Sequence, residues 1–378
     1  MNHRTRVKAI LHYEQYDRIP VVHFGFWPET IEKWVCEGHL SLSSGEIRAS
    51  TVDGSVAEAR VAEKLGFDFN WHTILSDKAG GGALYPKFDE KVVKDFGDGS
   101  FHLQNEEGVV VLYREGATGI PTEIDHALKD RSSWEELYLP KLKFDENRIN
   151  IEEIEYYEAL EPMRETPLGI NLGSLFGEIR NWMGLEAVSF LQYDDEELFD
   201  EIVNTVAELC FISAKERLNS SVKFDFAHFW EDICFKNGPL LSPLVYDKKF
   251  GALYKRLTGL CKEHGIDIVS LDCDGVIDAL IPVWMNNGVN TMFPVEVGTW
   301  GASIAPWKAK YGKELRGVGG MDKRVFAYDF AMIDREIERL KPLIDLGGYI
   351  PCPDHRIAPD AKWDNVRYYC EKMRSENW

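Results

Sequence analysis

The stretch VSLDCDGVIDALIPVWMNNGVNTMFPVE, residues 269–296, reads as a buried strand, a helix and a second buried strand, and both strands end in acid. Asp272 and Asp274 close the first strand and Glu296 the second. Carboxylates at the ends of core strands are costly unless something cationic meets them. Alternate residues of a strand share a face, which puts Ser270, Asp272 and Asp274 together, with Leu271 and Cys273 opposite. The same parity groups Met292, Pro294 and Glu296, and further on Tyr349, Pro351, Pro353 and His355. Two acids and a histidine at strand ends suit Zn²⁺, which takes oxygen and imidazole nitrogen and in catalytic sites keeps one position open. Asp272, Glu296 and His355 are the expected metal ligands, with Cys273 and Cys352 as nearby soft alternatives that strand register decides between. Each residue alone also has a plain structural reading. Asp272 or Asp274 would cap a helix beginning at Gly275, Asp274 being the better placed, and His355 would hydrogen-bond a loop.

A second constellation is FAHFWEDICFKNGPLLSP, residues 226–243, which sets His228, Glu231 and Asp232 at a strand end and Asn237 and Ser242 in a loop bounded by Gly and Pro. GGMDKR, residues 319–324, adds Asp322, Lys323 and Arg324 beside two glycines that let a ligand approach the backbone. Aromatic residues crowd the same regions: Phe24, Phe26, Trp27, Trp71, His72, Trp230 and Trp300. Apolar walls with few polar groups suit an organic ligand, and equally an ordinary core. Substrate contacts are expected from Phe24, Trp27, His72, Trp230, Asn237 and Lys323.

The elements that must position these residues follow a rhythm of short β-branched or aromatic runs alternating with helical stretches, the pattern of parallel βα units. Eight strands are expected, near residues 19–25, 67–74, 167–173, 222–231, 266–274, 289–296, 315–322 and 347–355. Residues 84–165 break the rhythm. They read as antiparallel hairpins with GDGS and NEEG as turns, followed by an acidic helix around INIEEIEYYEAL. The fold class expected is α/β, a single (β/α)8 TIM barrel over residues 1–378 with 84–165 inserted, its active site at the C-terminal strand ends. A doubly wound sheet is the alternative, but no GxGxxG follows a strand, so nucleotide binding has no support.

Composition narrows the function classes. At 378 residues the chain can bury a large core, and a net charge of −20 argues against nucleic acid or an anionic membrane as partner. No apolar run approaches a membrane span, and the N-terminus lacks a signal-peptide core. Seven cysteines without a CxxC pair point to a reducing cytoplasm and not to a disulfide framework. A homodimer is left open.

NHRTRVKAILHYEQYDRIPV, WEDICFKNGPLLSP, DCDGVIDALIPVWMNNGVNTMFPVEV, GGMDKR and GGYIPCPDHRIAPDAKWDNVRYY together resemble the uroporphyrinogen decarboxylase superfamily, and within it the methyltransferases that work with corrinoid (cobalamin) proteins. That resemblance implies a (β/α)8 barrel with zinc at its rim. In that branch the ligands are a His-x-Cys pair and a later Cys; here Asp272-x-Asp274 and His355 stand in those places. Decarboxylases of the superfamily carry an Arg-rich segment after the first strand, where this chain has HFGFWPET. An oxygen/nitrogen site is a harder Lewis acid than a thiolate-rich one and fits polarising an ether oxygen. The resemblance therefore implies an enzyme that moves methyl from a methoxylated small molecule, such as an aromatic methyl ether, to a separate corrinoid protein. In it His228, Glu231, Asp232 and Asp274 would handle protons or bind substrate. The alternatives are a metal-free decarboxylase or lyase, a methylcobalamin:thiol methyltransferase, and a barrel that serves only as a binding subunit.

Overall fold

The computed structural model describes residues 1–114 and 121–376, so the expected hairpin link at 115–120 lies outside the described residues. The parallel strands are short and buried save for Ile74, Trp230 and Arg316, which are half-buried, because helices and long loops cover them on both faces. β1 (Val22–His23) pairs in parallel with β2 (Phe69–Asn70), and β3 (Ile74–Leu75) follows four residues later. Next come four antiparallel strands in simple order: β4 (Lys91–Asp95), β5 (Ser100–Gln104), β6 (Val109–Arg114) and β7 (Thr122–His126). GDGS and NEEG are the turns of this sheet, as their Gly and Asn content dictates. β6 buries Val109 and Val111 on alternate positions, and the acidic helix forms at Ile151–Leu160.

The parallel series resumes with β8 (Gly169–Asn171) and β9 (Phe226–Trp230), interrupted by a small hairpin of β10 (Cys234–Phe235) and β11 (Gly238–Pro239). It ends with β12 (Val269–Asp272), β13 (Thr291–Val295), β14 (Arg316–Met321) and β15 (Tyr349–Pro353). Seven strands form one sheet in the order β15-β14-β13-β12-β9-β8-β3, every pairing parallel. After β15 the chain returns to β1's end through a parallel bridge between Phe26 and Ile357. Among the described residues no helix is long and apolar enough to cross a membrane.

One local expectation is corrected. The helix after β12 begins at Ile281, not Gly275, so Asp274 caps nothing; Gly275 takes φ +89 and turns the chain instead. Between β8 and β9 run the helices Leu185–Asp194 and Glu196–Leu218, separate because Asp195 leaves the helical region and its carboxylate caps Leu198 N–H.

Parity holds on β12 and shifts on its neighbours. Asp272 pairs with Phe293, and the Phe293 ring lies 5.3 Å from that of His72 and 5.9 Å from that of His228. The face of β13 shared with Asp272 is therefore that of Phe293, not of Met292 and Pro294, and the register slips between Met292 and Val295. Tyr349 faces the helix Phe330–Ile344, where Arg339 and Glu336 lie beside it. His355 stands beyond the end of β15, where strand parity no longer applies.

The opening motif NHRTRVK has a structural role. Asp225, 7% exposed, accepts Arg4 Nε at 2.6 Å, Lys8 Nζ at 2.7 Å, Arg164 Nη1 at 2.7 Å and Leu168 N–H at 3.1 Å. It ties the first helix, His3–Leu11, to the starts of β8 and β9. Burial pushes this carboxyl up, but the three cations win and hold it below the ordinary range. Its stabilisation is thus present above the usual carboxylate pKa and is lost as pH falls through the lowered folded value. Asp225→Asn takes the carboxylate from Lys8 and leaves Arg4 and Arg164 with Glu161, and should cost about 1–3 kcal/mol in urea denaturation at pH 7. The gap to wild type should narrow in strong acid; an equal gap at both pH values would contradict this account.

Candidate metal centre and substrate cleft

β9, β12 and the segment between β2 and β3 aim three side chains at one point. His72, His228 and Asp272 each offer a ligand atom, and these atoms all lie within 4.8 Å of one another. His228 and Asp272 belong to adjacent strands, two residues out of register, since Ser270 pairs with His228 and Trp230 with Asp272. His228 Nδ1 meets Ser270 Oγ at 3.0 Å, which leaves Nε2 buried and without a hydrogen-bond partner. A ring nitrogen freed in this way is what a metal-binding histidine presents once its other nitrogen is held.

His72 sits between two carboxylates: its Nε2 is 3.3 Å from Asp272 Oδ2 and its Nδ1 is 3.7 Å from Asp53 Oδ2. Asp53 is in turn held by Asn70 Nδ2 at 2.9 Å and by a bidentate Arg356, whose Nη1 is at 3.2 Å. Gly25, at φ +87, makes room for that pair, since a Cβ there would overlap Arg356 and Asp53. Burial alone would lower the His72 pKa, but Asp272 and Asp53 raise it to about 9. His228 is driven the other way, first by burial and then by the neighbouring His72. One imidazole is cationic and the other neutral in the metal-free protein. Burial pushes Asp272 up against the pull of His72.

The expected residues are distributed as follows. Asp272 occupies the centre, but Glu296 and His355 have other surroundings. Glu296 accepts Gly275 N–H at 2.9 Å and the Thr299 hydroxyl. His355 stacks on Trp27 at 5.8 Å and places Nε2 3.7 Å from Asp274 Oδ2; burial, then Lys323 and Arg356, lower it to about 3. Asp274 is raised to about 9 by burial and by Asp272, Asp232 and Glu296. Asp232 takes φ +53, uncommon for a residue with a side chain, and accepts Asp274 N–H at 2.9 Å. Lys323 reaches the Arg356 carbonyl at 3.2 Å and faces Asp354, Asp274 and Glu296.

Glu231 is withdrawn from any reaction. Its carboxylate, 0% exposed, accepts Leu175, Phe176 and Gly177 N–H, Ser174 Oγ and the Tyr254 hydroxyl, so it closes the N-terminus of the helix Gly177–Met183. Asn237 is exposed at the tip of the β10–β11 hairpin. Cys273 points away from the centre and accepts Ile233 N–H at 3.3 Å, and among the described residues no cysteine joins the converging group.

The centre opens into a cleft of about 560 Å³, lined by His72, His228, Trp230, Asp53 and Arg356 on its strand-end wall. Phe24, 5.1 Å from the His72 ring and 4.9 Å from that of Phe293, packs behind it. The remaining wall comes from Gly80–Gly82, Asn171, Asn181, Glu178 and Glu107, the last from the NEEG turn of the insertion. Asp53, Glu107, Glu178 and Arg356 were not singled out by the sequence. Asp53 and Glu107 lie in turn-like stretches, TVDGS and NEEG, and only tertiary structure brings them here.

No family model matches the chain and no curated protein sequence matches it. Among solved structures, a methyltransferase from Methanosarcina mazei superposes with a TM-score of 0.60 at 14% identity, covering 99% of this chain and 98% of that one. At that identity the likeness shows the fold alone. Two methionine synthases superpose more loosely and carry no argument. One is a B12-independent enzyme from Shewanella sp. W3-18-1, with a TM-score of 0.47 at 12% identity over 94% of this chain and 98% of its own. The other is described as a vitamin-B12 independent enzyme from Listeria monocytogenes, with a TM-score of 0.42 at 13% identity over 96% and 98%.

The two imidazoles make metal affinity depend on pH with a definite sign. His72 must lose its proton to become a ligand, whereas His228 is already neutral. Zinc affinity, measured by chelator competition on protein stripped of metal, should rise about tenfold per pH unit from pH 7 towards 9 and then level off. A flat profile over that interval would mean that His72 is not a ligand.

Proposed function

We propose that this chain is a zinc-dependent methyltransferase that takes methyl from a methoxylated small molecule and passes it to Co(I) on a separate corrinoid protein. In this reading the eight parallel segments close into a (β/α)8 barrel. The pairing of β1 with β2 on one side and the Phe26–Ile357 bridge on the other support that closure. The observation that carries the function is the convergence of His72, His228 and Asp272 beneath an open cleft.

The donor set fits zinc: two imidazole nitrogens, one carboxylate oxygen, and a buried Nε2 that has no hydrogen-bond partner among the described residues. Bound there, zinc would supply Lewis-acid stabilisation to the oxygen from which the methyl group departs. The absence of thiolate from the group favours an oxygen leaving group over activation of a thiol. Asp53 and Arg356 orient His72, and Ser270 orients His228, so both rings are fixed before substrate arrives. Trp230 supplies an apolar wall for the donor. Transfer would break the bond between the methyl carbon and the donor oxygen, the methyl passing to the partner's Co(I) and the electron pair staying on that oxygen, which would take a proton. Asp274, two residues beyond Asp272 and with its backbone N–H held by Asp232, would be the acid that gives that proton. The open mouth leaves room for the partner's corrinoid to approach.

One observation favours a second reading. The His72 imidazolium, clamped by Asp53 and Asp272, would serve a metal-free lyase or decarboxylase as a fixed cationic acid.

The purified protein is expected to hold about one zinc per chain and to lose it in His228→Ala and Asp272→Ala variants that keep the wild-type circular dichroism. With free Co(I) cobalamin as acceptor and methoxybenzenes as donors, methylcobalamin formation should fall about 100-fold or more in the same variants. Turnover that survives chelation, in protein shown to be zinc-free, would remove the metal reading and leave the imidazolium one.

A further inference from the structure

Glu178 opens the helix Gly177–Met183, yet its carboxyl is 4% exposed and lies along the cleft opposite the bare backbone of Gly80–Gly82. Oε2 accepts Ala83 N–H at 2.8 Å, and Oε1 has no hydrogen-bond or ion-pair partner among the described residues. Buried acids are ordinarily paired with a cation. Around Glu178 stand Glu107, Asp77 and Glu231, which add like charge, and the Cys210 thiol. Arg148, a cation that senses it, is committed to the carbonyls of Tyr85, Ala83 and Lys141 and sits 3.9 Å from Asp77. Glu107, which adds its charge to that of Glu178, and Trp230 line the same cleft, so a ligand in it meets both carboxylates and an aromatic ring. A cation held by carboxylate and by an aromatic face is the ligand such surroundings complement.

We propose that Glu178 is the specificity residue of this cleft and binds a positively charged group, such as an ammonium, on the small molecule that enters it. The proposal rests on the substrate-cleft reading above and deepens it: the methyl donor carries a cationic group in addition to its methoxy oxygen. Burial and the neighbouring acids push the empty Glu178 up to about 8, so it holds a proton until a cation arrives and then releases it. The overall charge of −20 favours the approach of such a ligand.

The test is calorimetric binding at pH 7 of 4-methoxybenzylammonium against its neutral counterpart 4-methoxybenzyl alcohol, each in two buffers of different ionisation enthalpy. Wild type should bind the ammonium compound on the order of tenfold more tightly or better, with release of up to about one proton. Glu178→Gln keeps an acceptor for Ala83 N–H and should lose both the preference and the proton release while melting no lower than wild type. Glu107→Gln, at a more exposed position, should weaken the preference by a smaller factor and so gives an answer if Glu178→Gln fails to fold. Equal binding of the two compounds, no binding of the ammonium compound, or a preference unchanged in Glu178→Gln would overturn the proposal. None of these readouts needs zinc or methyl transfer, so a protein that binds no zinc yet selects the cation through Glu178 would lose the metal reading and leave this one standing.

Discussion

His72 lying between Asp53 and Asp272 is the interaction on which the arrangement of the strand ends depends. Asp272 is buried at the end of a central strand, with Asp232 and Asp274 close by, and without a cation such a group would be forced to take up protons. His72 supplies that cation from the segment between β2 and β3, Asp53 fixes the ring's other nitrogen, and Arg356 balances Asp53 from the chain after β15. The second, fifth and last of the expected parallel segments are thereby tied together at one end, with the loop that carries Asp53. The same network gives His228 its character: next to an imidazolium and deprived of water, it stays neutral and keeps Nε2 free.

Acidic groups elsewhere at this end are handled in three different ways. Glu231 is neutralised by a helix N-terminus and two hydroxyls and becomes a fixed part of the scaffold. Asp274 and Glu296 form a second acidic group with Lys323 and His355 nearby. Glu178 has neither a cation nor a full set of donors, and for that reason it stands out as a ligand-binding group. A carboxylate's role is thus decided by its donors, and sequence proximity to a strand end does not reveal them.

The sequence was legible where local physics dominates. Apolar runs marked where the parallel strands lie, although the run at 67–74 divides into β2 and β3 in separate sheets, and Gly and Asn marked the hairpin turns of the insertion. Asp272, His72 and His228 all stood out as polar groups among aromatic residues, yet their grouping did not. Parity along β12 chose the right face, but the pairing of Asp272 with Phe293 brings the other face of β13 to the centre, and His355 lies past the end of its strand. Asp53 and Glu107 sit in turn sequences whose composition predicts only a change of direction. Their places depend on how the N-terminal helices and the insertion pack, contacts that no local pattern encodes.

The most direct measurement of the central claim is zinc K-edge X-ray absorption on the purified protein. Two imidazole shells and oxygen ligands at about 2.0–2.1 Å, with no sulfur shell at about 2.3 Å, are expected for His72, His228 and Asp272. A sulfur shell would place Cys273 or Cys352 at the metal and contradict the donor set, and with it the argument for an oxygen leaving group.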